Sequence, residues 1–174
     1  MRCAFLAAAI LSAAPATAAA PVIPEGYAYI AVPHVAVAPE ASHVYKAIFD
    51  ARMKADDPAQ LAPAVIFAAS EVNTLAQNGV PAANRKLAIV FHTTDADMAV
   101  MDDAHYRARY HVNNPNLRVL SELRKEGVEL FVCSQQLAAD RADLKAISPD
   151  VALASDGLIV LMTYQNKGYA LISY

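Results

Sequence analysis

Cys133 is the residue in this sequence with the clearest chemical potential. It ends the apolar part of residues 127–136, GVELFVCSQQ, and the other cysteine, Cys3, lies near the N-terminus. No C-x-x-C pair is present, so a dithiol redox cycle is excluded. One thiol can still accept a group as a mixed disulfide or persulfide and pass it on. A helix beginning at residues 134–138 would add unpaired backbone N–H groups and a positive dipole end, both of which favour the thiolate. The competing reading is structural, because free cysteine is among the most buried residue types and packs there as a small inert hydrophobe.

His92 ends another apolar run, KLAIVFH at residues 86–92. Its imidazole could take a proton from a thiol or hydrogen-bond a sulfur anion, or it could satisfy a loop carbonyl. His92 and Gln135 are the candidate substrate-binding residues beside Cys133. His92, His105, His111 and Cys133 are all acceptable zinc ligands, but their spacing matches no ligand motif. Neither a metal nor a cofactor is expected. Asp95, Asp97, Asp102 and Asp103 resemble paired acid/base carboxylates, yet they fall in a loop and a helix start, where solvated capping is expected. The chain has no G-x-S-x-G elbow, phosphate-cradling loop or dinucleotide fingerprint.

These residues need strand ends to hold them, and the periodicity supplies strands. Residues 43–51 (HVYKAIFDA) alternate as a first strand, with Val44, Lys46, Ile48 and Asp50 opposite Tyr45, Ala47 and Phe49. A helix follows with Leu61, Val65, Ala68, Val72 and Leu75 on one face, Pro63 in its first turn and Gly79 at its close. Residues 86–92 read as a strand covered on both faces. Residues 101–110 predict a short helix. Asn114 and Pro115 then supply an N-cap and first-turn proline for a helix that turns Leu117, Leu120 and Leu123 inward and stops at Gly127. Strands are expected at residues 128–132, 150–153 and 169–173, with an apolar helix over about 155–166 before the last. The alternation predicts an α/β three-layer sandwich around a mainly parallel sheet of about five strands. In such sheets, sites form beyond the C-terminal strand ends.

The N-terminus reads as an export signal. Arg2 is followed by a short apolar run and by Ala16-Thr17-Ala18, a small-x-small cleavage pattern. This gives three regions: a signal peptide at residues 1–20, a proline-rich extended arm at 21–41 and the α/β domain at 42–174. The expected location is the periplasm or the exterior. No run is long enough to span a membrane. The chain has 174 residues, 56% of them hydrophobic, enough to build a substantial core. Its formal charge is −3, more acidic once Arg2 leaves, with no basic run for a phosphate backbone, so nucleic acid is not an expected partner.

Three stretches together resemble the DsrE/DsrF-like family, whose relatives include the sulfur-relay subunit TusD and YchN. They are KLAIVFH at 86–92, MDDAHYRARYHVNNPNLRVLSELRKEGVELFVCSQQL at 101–137 and LASDGLIVLMTYQNKGYALISY at 153–174. The Asn114–Asn116 turn, its helix, Gly127 and the strand-end Cys133 form the most specific combination. The resemblance implies a DsrE-like fold and a persulfide-carrying role for Cys133. It also implies a homo-oligomer, a trimer or hexamer, exchanging sulfur with donor and acceptor proteins or with small persulfides and polysulfides. The alternative is a non-catalytic oligomeric accessory protein of the same fold that binds a ligand or partner.

Overall fold

The computed structural model describes residues 20–174, so the expected leader lies almost wholly outside the described residues. Among the described residues five strands form one sheet: β1 (Tyr45–Ala51), β2 (Arg85–Phe91), β3 (Glu129–Cys133), β4 (Ala152–Ala154) and β5 (Ala170–Ser173). Their order is β4-β3-β2-β1-β5 and every neighbouring pair is parallel. The helices are α1 (Pro63–Gln77), α2 (Thr94–Asp97), α3 (Asp103–Tyr110), α4 (Asn116–Lys125), α5 (Ser134–Ala139) and α6 (Gly157–Asn166).

The alternation of side chains along each strand divides the core between the two sheet faces. Phe49, Leu87, Ile89, Phe91, Leu130 and Val132 pack with Val65, Ala68 and Val72 of α1 and Val119, Leu120 and Leu123 of α4. Ile48, Ala88 and Val90 face the other way, against Val160, Leu161 and Tyr164 of α6. Helix, sheet and helix make the three layers expected from the sequence.

Several boundaries move for local reasons. Pro63 is the first residue of α1, where its missing N–H costs nothing. Met101 is outside α3 and bridges Ile147, so α3 starts later, with the Asp102 side chain accepting from His105 N–H. The loop expected after His92 coils into α2 and a following 3-10 turn over residues 98–100. Val119, rather than Leu117, joins Leu120 and Leu123 in the core beneath α4. Gly127 and Gly168 take left-handed backbone angles after α4 and α6, where a Cβ would be strained.

Buried asparagines tie the irregular parts to this frame. Residues 20–44 contain no helix or strand and run along α1, whose Asn73 accepts from Ile23 N–H at 2.9 Å and donates to the Ile23 carbonyl at 2.8 Å. Ile23 itself is fully buried. Asn114 does not cap α4 from the N-cap position; it sits one residue earlier, and its Oδ1 accepts from both the N–H and the side-chain amide of Asn116. The Asn114 amide donates to the Ala99 and Met101 carbonyls at 3.0 and 2.7 Å, and Asn116 Oδ1 accepts from Ala62 N–H at the start of α1.

Replacing Asn114 by alanine strands several of these buried groups together. The expected loss is about 2–3 kcal/mol, read as a lower urea midpoint with an unchanged slope.

Candidate functional site

The strand register brings three ionisable side chains to one edge. Asp50 has the parity of Ile48, His92 that of Val90, and Cys133 that of Phe131, so the alternation aims all three toward the α6 side of the sheet. Asp50 is the penultimate residue of β1, beside Val90, His92 directly follows β2, and Cys133 is the last residue of β3. The C-terminal edge of the sheet therefore gathers an acid, an imidazole and a thiol that are far apart in sequence.

Each side chain is held by its surroundings. His92 Nε2 meets Asp50 Oδ1, and Ser173 Oγ on the neighbouring β5 donates to Asp50 Oδ2 at 3.3 Å. A carboxylate can only accept from the ring, so this contact selects the Nε2–H tautomer and leaves Nδ1 free to take a proton. Cys133 is buried and is also the N-cap residue of α5. As the sequence reading anticipated, a helix starts immediately after the thiol. That helix is only six residues long, so its influence comes from the unpaired N–H groups of its first turn more than from a long dipole.

Gly157 closes the site from above. A Cβ built there would lie 2.5 Å from His92 Cβ and 3.4 Å from Cys133 Cβ, so the backbone of α6 approaches both residues where only glycine fits. Asp156 fixes that approach by accepting from Leu158 N–H at 2.7 Å and Ile159 N–H at 3.3 Å. The result is an open crevice of about 280 Å³ lined by His92, Cys133, Gln135, Asp156, Gly157 and Leu158, with Gln136 at its side.

Cys133, His92 and Gln135 are thus brought together, whereas His105 and His111 lie on and just after α3 and do not line the crevice. Among the described residues no group of three His, Cys, Asp or Glu side chains could hold a metal ion. Sequence reasoning missed Asp50 and Gly157. Asp50 carried a usable signal, since it alternates with Ile48 at the end of an apolar strand, while Gly157 was hidden inside a run read simply as helix. The aspartate cluster also needs correcting. Asp102 caps α3, Asp103 accepts from Asn114 N–H at 2.8 Å and Asp95 pairs with Lys54 at 3.3 Å, but Asp97 is turned inward by the α2 coil and is buried.

Gly157→Ala is expected to push its methyl group into His92 and Cys133. Overpacking of this kind costs about 1–3 kcal/mol, measurable by urea unfolding, whereas the same change at the open Gly127 tests backbone strain alone.

No protein-family model matches this chain, and no curated protein matches it. Solved structures do. The protein of unknown function MTH1491 from Methanobacterium thermoautotrophicum superposes with a TM-score of 0.54 at 18% identity, covering 75% of this chain and 99% of the other. The ychN protein from E. coli gives the same TM-score at 14% identity and the same coverages. At these identities the likeness is one of architecture: the chain has the DsrE-like α/β fold that YchN and MTH1491 share.

Proposed function

We infer that this is an exported sulfur-handling protein in which Cys133 accepts persulfide sulfur and passes it on. The observation that carries the reading is a lone thiol at a strand end, in a crevice that also contains an Asp50-oriented imidazole. His92 Nδ1 takes the thiol proton, and the thiolate attacks the outer sulfur of a persulfide R–S–SH. The Cys133–sulfur bond forms as the bond to the inner sulfur breaks, and the departing RS⁻ recovers the proton from His92. A partner thiol repeats the attack on the Cys133 persulfide and releases Cys133. No net oxidation occurs in either half. Gln135, exposed at the crevice mouth, offers an amide to the incoming group.

The proposed assembly is a homo-oligomer, a trimer or hexamer, with its contact on the α6 face. Among the described residues one helix covers this side of the sheet, and it exposes Leu158, Ile159 and Met162 at 59%, 51% and 51%. Leu171 on β5, paired with Ile48, extends the apolar surface. A second copy seated there would remove this surface from water. Since Leu158 also lines the crevice, it would also narrow the approach to Cys133. Export rests on the N-terminal leader pattern and places the protein in the periplasm or outside the cell. Among the described residues no helix is long and apolar enough to cross a membrane.

The test is the intact mass of the folded, reduced protein after brief exposure to polysulfide, followed by a thiol acceptor. Wild type is expected to gain sulfur and return it, Cys133→Ala to gain none, and Asp50→Asn to load about 10²-fold more slowly. Absence of any adduct on wild type, with a thiol that reacts only after unfolding, would overturn the sulfur reading in favour of an accessory binding protein.

A further inference from the structure

A second cavity, of about 460 Å³, lies between α3 and α5. Its wall is apolar where Met98, Met101 and Leu137 meet, and Asp97 lies among them. Asp97 is 2% exposed, and both carboxyl oxygens are buried with no hydrogen-bond partner. Other aspartates nearby are satisfied: Asp102 and Asp143 accept from backbone N–H groups, and Asp140 accepts from Thr94 and Gln136. Burial, together with the nearby Asp140 charge, pushes the Asp97 carboxyl up to about 7. An unpaired buried carboxyl is costly, and such a group is explained when a ligand supplies the missing donors.

The remaining charges around the cavity define what that ligand carries. From α3 come His105, held by Asp102 at 2.9 Å, and Arg109, facing Asp95 at 3.7 Å. From α5 and the turn after it come Asp140, Arg141 and Asp143. Arg141 makes no ion pair among the described residues and stands at φ 53°, a left-handed angle that a non-glycine residue adopts at a cost. The cavity therefore has an unpaired acid buried in its wall, an apolar lining and an unpaired base exposed at its edge.

We propose that this cavity binds a small primary ammonium ligand with a branched apolar body, the ammonium on Asp97 and the body against Met98, Met101 and Leu137. A ligand that also carries a carboxylate, as an α-amino acid does, meets Arg141 with it. The volume falls within the range of small-molecule pockets and exceeds what a leucine-sized ligand needs. Gln136 donates to Thr94 Oγ1 at 2.9 Å and to Asp140 Oδ2 at 3.0 Å, walling this cavity from the Cys133 crevice. Binding here therefore does not depend on the sulfur reading.

Cation binding requires ionised Asp97, so affinity is expected to rise with pH through about 7 and then level off. His105 also lines the cavity, so the Asp97 variant is essential to assign the pH dependence to Asp97. The experiment is calorimetric titration of the full protein at pH 8 with isoamylamine, L-leucine and isocaproate, repeated at pH 6. Isoamylamine or leucine should bind and isocaproate should not. Affinity should fall roughly tenfold from pH 8 to 6 and at least tenfold in Asp97→Asn. Ala108→Phe, which blocks the cavity from an exposed position, should abolish binding while leaving Asp97 intact, and it carries the test if Asp97→Asn fails to fold. Leucine binding tighter than the amine identifies the amino acid as the source, and the reverse identifies a free amine. Failure of both to bind, equal binding of isocaproate, or unchanged binding in the variants would overturn the proposal.

Discussion

Parallel pairing of β1, β2 and β3 is the constraint from which the site follows. All three strands end at the same edge, and a side-chain period of two fixes which face each final residue serves. With Ala51 opposite Phe91 and Phe91 opposite Val132, a shift of one residue in any strand would turn Asp50, His92 or Cys133 to the α1 and α4 side. The buried pairs Phe49 with Ile89 and Ile89 with Leu130 hold that register through the core. The crevice is thus a consequence of hydrophobic packing several residues below it.

Above the sheet edge, precision comes from polar groups and from one missing side chain. Asp156 caps α6, Gly157 lets that helix touch His92 and Cys133, and Ser173 steadies Asp50 from the neighbouring strand. On the other side, Asn114 and Asn116 gather the turn after α2 and the starts of α1 and α4 into one hydrogen-bonded knot. Asn73 does the same for the N-terminal arm. Each such amide is a donor and an acceptor at once, which suits loops whose backbone has no ladder to join.

The strands, most helices and the placement of Cys133 at a strand end were legible in the sequence because they are written in apolar periodicity. KLAIVFH could hardly be anything but a covered strand, and Gly127 and Gly168 punctuate where the left-handed angle is needed. Polar residues were harder. Asp50 and Asp97 were read through the ordinary habits of aspartate, as a strand-face residue and a solvated cap, and both are buried. Burial of a carboxylate depends on which distant residues arrive around it, β2 and β5 for Asp50 and α5 for Asp97, and local sequence does not carry that information. Gly157 was concealed for the same reason, since its role lies entirely in its tertiary neighbours.

The central claim is that Cys133 is reactive in the folded protein, although it is buried. The most direct measurement is the rate of iodoacetamide alkylation of native wild type across pH, against the same chain unfolded in urea and against Asp50→Asn. Direct reaction of the native state is expected, faster than global unfolding permits, with slower reaction in the variant. Alkylation limited by unfolding, with no effect of Asp50, would contradict it and make Cys133 a core residue.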